Sequence, residues 1–192
     1  MPQTVHAPLP VHPNSRLGRL GVHASNQPQW AFSALDCPRE ATDSPWLLTR
    51  DGDPVLVALY HAHYSSHASG GQLRLVLGPG EKLAAILPGG LGGIGFRYGY
   101  FRGEKLVYLA FFSNHSAHRS SDLVRAACAL AWRRWPGQEI VTLVDPFAVR
   151  SSNPGYCFQC AGFVKTGRTQ GGLVELRRLP DGVGATDLGL RD

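Results

Sequence analysis

Val144-Asp-Pro-Phe-Ala-Val-Arg-Ser-Ser-Asn-Pro-Gly-Tyr-Cys-Phe-Gln-Cys-Ala-Gly-Phe-Val-Lys-Thr-Gly-Arg-Thr-Gln-Gly-Gly-Leu-Val-Glu-Leu176 is the stretch that decides the fold. The apolar run Glu139–Val144 has the length and β-branched content of a buried strand, and it stops at Asp145-Pro146. A polar loop through Ser151, Ser152 and Asn153 follows, with Pro154 expected at the first position of a short helix. Ala161-Gly162-Phe163 closes that helix, and two β-like runs around Thr166–Gly172 finish the unit as a hairpin.

Outward from this block, an alternation of strand and helix continues toward the N-terminus. Asp122–Trp135 carries Leu123, Ala126, Ala127, Leu130, Ala131 and Arg134 at helical spacing, and Pro136-Gly137 stops it. Ser120 or Ser121 is the expected cap, with Asp122 favourable in the first turn. Lys105–Phe112 is nearly continuous in apolar residues, as a central strand should be. Strand, helix and strand in this order require a parallel crossover.

Further upstream, Pro88–Gly95 holds five glycines and is expected to be a flexible loop. Lys82–Leu87 and Gln72–Leu77 read as strands, with a hairpin signal at Gly78-Pro79-Gly80-Glu81 between them. Asp53 caps and Pro54 starts a helix on which Val55, Leu56, Leu59, Tyr60 and His63 recur, ending near Tyr64. Pro45–Arg50 reads as a first strand. The class is therefore α/β, a mixed central sheet flanked by helices.

Composition bounds the rest. The chain has 192 residues, enough for one domain with tails. Residues 1–44 are rich in Pro, His, Ser and Asn and predict a loosely structured extension; Leu17–Val22 could add a short strand, and Trp30 and Phe32 suggest partial docking. The folded domain is expected over 45–180, with a flexible tail at 181–192. No apolar run is long enough to span a bilayer, which predicts no membrane partner. The opening MPQTVHAPLPVHPNSR lacks the apolar core of a secretory signal, so a cytoplasmic location is expected. Cys37, Cys128, Cys157 and Cys160 are then free thiols; Cys157-x-x-Cys160 has redox or zinc spacing but no second pair, and a helix-face role is preferred. A net charge of +5 favours an anionic partner, nucleic acid or a phosphorylated cofactor.

The closing pattern of strand, short helix, Gly-Phe and hairpin resembles that of the GNAT acyltransferase superfamily, and within it the phage-related branch of Mom-type DNA-modification proteins. The resemblance covers roughly Asp53 to Leu179 and implies a GNAT-like fold and an N-acyltransferase using acetyl-CoA or a related acyl-CoA. In the phage-type branch it implies DNA as partner and a DNA base as acceptor, which has to be flipped out or single-stranded to be reached. It places Arg119, Ser120 and Ser121, at the helix start after the central strand, against the coenzyme A pyrophosphate, where free N–H groups and the helix dipole favour an anion. The family's Q/R-x-x-G-x-G/A signature is absent here; His115-Ser116-Ala117-His118-Arg119-Ser120-Ser121 holds no glycine. Asn153 joins the cofactor set. Aligned on Gly162-Phe163, the family's thiolate-protonating tyrosine falls on Phe158, and Tyr156 is the nearest hydroxyl of that kind. Asp145, at a strand's C-terminal end, and Tyr156 are the catalytic pair, Asp145 orienting or deprotonating the acceptor amine and Tyr156 protonating the leaving thiolate.

His61, His63 and Tyr64 form a substrate-facing cluster similar to a segment of the Mom-type proteins, with His67 close by. His61 and His63 are two apart on a helix, so one is expected to face the cleft and one solvent. No metal is expected, since a site there would have to borrow His115, His118 or Asp145. Ile94–Arg102 alternates aromatic and basic residues, so Arg97 and Arg102 are candidates for phosphate contacts between stacked bases. Two other readings fit: a non-catalytic nucleic-acid-binding protein on the same scaffold, and a small-molecule or protein N-acetyltransferase.

Overall fold

Glycine sets the middle of the sheet. A computed structural model describes residues 44–66, 75–149 and 151–180. Within them, the glycine-rich stretch expected to be a loop is instead a single 3-10 turn, Pro88–Gly90, followed at once by strand β3, Gly92–Phe101. The reason is space. A Cβ at Gly93 would stand 3.0 Å from Leu59 Cδ1 and 3.1 Å from Phe111 Cζ, and one at Gly95 only 2.5 Å from Leu77 Cδ2. These glycines admit neighbouring side chains onto the strand surface and do not loosen the chain.

The remaining strands are β1 Leu47–Thr49, β2 Glu81–Ile86, β4 Glu104–Asn114, β5 Ile140–Val144, β6 Val164–Arg168 and β7 Val174–Arg178. They form one mixed sheet of seven strands in the order β1-β2-β3-β4-β5-β7-β6. Among the described residues only β4 and β5 pair in parallel, as the expected crossover requires. β3 and β4 are joined by Arg102-Gly103, whose φ values of 53° and 87° are the positive pair that a tight hairpin turn needs.

Three α-helices of the described residues cover the sheet. α1, Pro54–Ala62, begins as expected: the Asp53 carboxylate accepts from Val55 N–H at 2.8 Å and from the Thr49 hydroxyl at 2.6 Å, with Pro54 in the first turn. Val55, Leu56 and Leu59 pack with Leu77, Ala84, Ile86 and Phe111 on one face. α2, Ser120–Arg134, and α3, Tyr156–Cys160, cover the other face. There Trp46 is fully buried and donates its indole N–H to the Leu123 carbonyl at 2.9 Å, tying the first strand to α2.

Three local expectations are corrected. Leu75–Leu77, the described end of the expected Gln72–Leu77 strand, pairs with no strand; the Asp51 carboxylate takes the Val76 and Leu77 amides instead and also binds Lys82 at 2.8 Å, so Gly78–Glu81 closes no hairpin among the described residues. Neither Ser120 nor Ser121 caps α2. The cap position is Arg119, which offers no side-chain acceptor, and Ser120 Oγ accepts from Asn114 Nδ2 at 3.0 Å. Pro154 lies in a turn ahead of α3, and Gly155, with φ 82°, occupies the cap. The expectations for 1–43, 67–74, Arg150 and 181–192, including His67 and the Leu17–Val22 strand, lie outside the described residues.

Candidate active site

The parallel pair creates the site. β4 and β5 are bonded over only three residue pairs, Val107↔Ile140, Tyr108↔Val141 and Leu109↔Thr142. Beyond them β4 continues to Asn114 paired with β3 alone, and β5 continues to Val144 paired with β7 alone. At the parting point the buried Thr142 hydroxyl donates to the Leu109 carbonyl at 3.1 Å. On β4 the register against β3 skips Ala110, since Gly95 opposes Phe111 and Phe96 opposes Leu109. A bulge of this kind takes its extra residue out of the ladder.

The wedge between the two strand ends holds a cavity of about 300 Å³. Its walls include Tyr108, Ala110 and Phe112 of β4, Thr142 and Asp145 at the end of β5, His63 and Tyr64 past the end of α1, and Cys157 and Phe158 of α3. Clefts at the carboxyl ends of strands, where an α/β sheet opens, are where ligands bind in this class.

His63 ends α1, and its amide closes the helix on the Tyr60 carbonyl. Its Nδ1 accepts from the Ser65 amide at 3.3 Å and lies 2.7 Å from the Ser65 hydroxyl, so the neutral ring carries its proton on Nε2, toward the Phe112 backbone. Burial drives its pKa down to about 4, the Phe112 hydrogen bond opposes, and nearby His115 adds to the fall. His115 is likewise lowered by burial, with Nε2 2.9 Å from Ser113 Oγ. Both histidines are neutral at pH 7.

Tyr64 is 45 % exposed as a residue, and it lines the cavity with its hydroxyl bonded to the Asp145 backbone. Burial pushes that hydroxyl up to about 12; the Asp145 backbone N–H opposes, while the Asp145 carboxylate, Tyr108 and Cys157 add to the rise. The hydroxyl therefore stays protonated at every physiological pH. Asp145 does two things at once. Its Oδ1 accepts from Phe147 N–H at 2.9 Å and Ala148 N–H at 3.3 Å, turning the chain, while the residue lines the cavity beside Tyr64. Burial raises the Cys157 thiol as well.

Of the residues singled out by sequence, the cavity gathers Asp145, His63 and Tyr64. Tyr156 is not on its wall. That side chain is 62 % exposed, and its hydroxyl is bonded to Cys160, which raises its pKa, with the Arg119 charge opposing. Phe158, the position to which the resemblance assigns a tyrosine, does line the cavity but carries no hydroxyl. His61 is half-buried and outside the lining. Asn153 is held away by Gln159 at 3.0 Å and Lys165 at 2.7 Å on its side-chain oxygen.

Arg119, Ser120 and Ser121 stand together at the start of α2, after the loop that follows β4, and none of them lines the cavity. Arg97 and Arg102 sit on the β3–β4 hairpin; of the aromatic residues expected there to stack bases, Phe96 is buried, Phe101 stacks on Tyr108 at 4.7 Å and nearly parallel, and Tyr100 is exposed. Tyr108 and Cys157 were missed as site residues. The only sequence signal for Tyr108 was a polar-tipped ring within an apolar run. Among the described residues no three His, Cys, Asp or Glu side chains gather as a metal site, and no helix is long and apolar enough to cross a membrane. Comparison of the chain with protein-family profiles, curated proteins and solved structures found no match.

Proposed function

We propose that the protein is a GNAT-like N-acyltransferase that takes its acyl group from acetyl-CoA or a related thioester. The observation that carries the reading is the early parting of parallel β4 and β5, with a cavity in the wedge and α2 as the next element after β4 across a short loop. A thioester inserted along the wedge has its pantetheine between two strand ends and its pyrophosphate near the first turn of α2. In that turn the Ser120 and Ser121 amides have no acceptor among the described residues, and Arg119 supplies charge. The phage-type DNA-modifying branch is the narrower form of this proposal, with a DNA base as acceptor.

The chemistry assigns the proton donor to Tyr64 in place of Tyr156. An amine attacks the thioester carbonyl carbon; the C–N bond forms, the C–S bond breaks, and the leaving thiolate needs a proton. A hydroxyl with a pKa near 12 on a residue that lines the cavity is fully protonated and can give it. Asp145, beside it, orients the amine and accepts the proton that the amine loses. His63, already engaged through Ser65 and the Phe112 backbone, positions the segment that carries Tyr64.

The test is thiol release from acetyl-CoA against a panel of amines and single-stranded DNA, with Tm measured alongside. Tyr64→Phe should lower turnover by about 100-fold, the scale of a positioned acid, with Tm unchanged. Tyr156→Phe should leave turnover intact. Equal activity in Tyr64→Phe and wild type sinks the assignment, and absence of acetyl-CoA binding by calorimetry sinks the acyltransferase reading itself.

A further inference from the structure

Arg97, ladder partner of the cavity-lining Tyr108 though not itself on the lining, has no counter-charge among the described residues. Arg97 is opposite Tyr108 in the β3–β4 ladder and opposite Lys82 in the β2–β3 ladder. Lys82 is neutralised by Asp51 at 2.8 Å, and Arg102, further along the hairpin, has Glu175 at 3.4 Å. Arg97 takes part in no ion pair or side-chain hydrogen bond among the described residues. Its guanidinium instead lies 5.2 Å from the centre of the Tyr108 ring and passes close to Gly78, where a Cβ would stand 3.3 Å from Nη1.

Arg97 is half-buried. A guanidinium in that position carries five N–H donors and loses solvation without an acceptor to replace it. The π face of Tyr108 offsets part of the charge but satisfies none of the N–H groups. Tyr108 in turn lines the cavity, and its own hydroxyl is bonded to no described residue. Stacking on Phe101 orients the Tyr108 ring, and the β3–β4 register sets Arg97 opposite it. Burial raises the Tyr108 hydroxyl and the Arg97 charge opposes, with Tyr60 and Arg102 also within range.

We infer that the Arg97 guanidinium and the Tyr108 hydroxyl form an anion subsite at the margin of the cavity, reached past the Tyr108 ring, and that the acceptor carries a carboxylate or phosphate there. Calling the bound molecule an acceptor rests on the acyl-transfer reading; the subsite itself does not. A planar fork binds either anion in a bidentate manner, which an ammonium cannot do. With Phe101 and Tyr108 stacked on each other, the subsite favours a small anionic molecule over a nucleic-acid strand threaded between aromatic rings.

The experiment is equilibrium binding to the full chain of phenylphosphate, benzoate and, as a neutral control, benzyl alcohol, followed by calorimetry and ligand-detected NMR. Wild type should bind both anions more tightly than benzyl alcohol. Arg97→Gln should weaken the anions about 10-fold or more, the loss expected for a charge-assisted bidentate contact, while leaving benzyl alcohol unchanged. Arg97→Lys keeps the charge and loses the fork, so it should recover only part of the affinity and serves where Arg97→Gln unfolds. Anions that bind no better than benzyl alcohol, or that ignore both substitutions, overturn the subsite. A single-stranded oligonucleotide that displaces phenylphosphate and also depends on Arg97 supports the same subsite with a DNA phosphate as the source; an oligonucleotide that binds while phenylphosphate does not overturns it. Anion binding without any thiol release keeps the subsite and removes the acyltransferase. Turnover on amines that carry a carboxylate or phosphate, if indifferent to Arg97→Gln, does the reverse.

Discussion

Acid should destabilise this protein through His63, and the size of the effect follows from its burial. The ring is neutral in the fold with a pKa lowered from 6.5 to about 4, burial being the largest cause. In the unfolded chain it returns to the ordinary value. Between these limits the unfolded state binds more protons, so stability is complete above about pH 6.5 and is lost as pH falls toward about 4. A difference of about 2.5 in pKa corresponds to about 3 kcal/mol in full, of which about 2.5 kcal/mol is gone by pH 4.5. His63→Gln keeps a donor and an acceptor but cannot titrate. It should be less stable than wild type at pH 7.5, because the ring contacts with Tyr64 and Phe111 are lost, and the gap should narrow by about 2 kcal/mol or more at pH 4.5. Urea unfolding of both proteins at half-unit intervals between those limits measures it, and carboxylate terms common to both cancel in the difference. Parallel stability curves would show that the ring is solvated in the fold and refute the burial argument.

Two further perturbations probe the frame of the site. Gly92→Ala puts a Cβ 2.7 Å from the Ser113 carbonyl oxygen, a backbone atom held in the β3–β4 ladder; a cost of about 1–3 kcal/mol is expected in urea unfolding, and an unchanged midpoint would show that β3 begins later than Gly92. Arg177→Gln leaves Glu104, Glu139 and Glu175, which Arg177 now binds at 2.8, 2.9 and 2.8 Å, facing one another without a cation. With Glu104 largely exposed, the loss should be about 2 kcal/mol at pH 7.5 and should shrink in acid as Glu175, which burial raises but the Arg177 contacts hold below its ordinary range on balance, becomes protonated; a deficit independent of pH would mean the arginine acts through packing.

Local chemistry made several elements legible. Asp53-Pro54 fixed a helix start because a carboxylate cap and a proline ring act within one turn. The α2 periodicity and its Pro136-Gly137 stop, the apolar β4 and β5, and the hairpin after Gly162 were equally readable, since each depends on residues a few positions apart. Glycine was the ambiguous letter. The run Pro88–Gly95 reads as looseness in sequence, and only the arrival of Leu59 from α1, Leu77 from the segment before β2 and Phe111 from β4 shows that the glycines serve close packing.

The site divides the same way. Asp145 at a strand end and the His63-Tyr64 pair were visible as residue types in suggestive places, and the cavity brings those together. Tyr156 and Tyr64 offer the same hydroxyl, and sequence proximity to Asp145 favoured Tyr156. The choice between them depends on where the end of α1 meets the wedge, a contact between segments about eighty residues apart. The wedge itself has no sequence signature, because it opens where two strands stop pairing, and that point is set by the bulge at Ala110 and by which neighbour each strand end keeps. Helix caps and apolar periods are written in consecutive residues; the position of a cavity is a property of distant backbones that part, and only the tertiary structure fixes it.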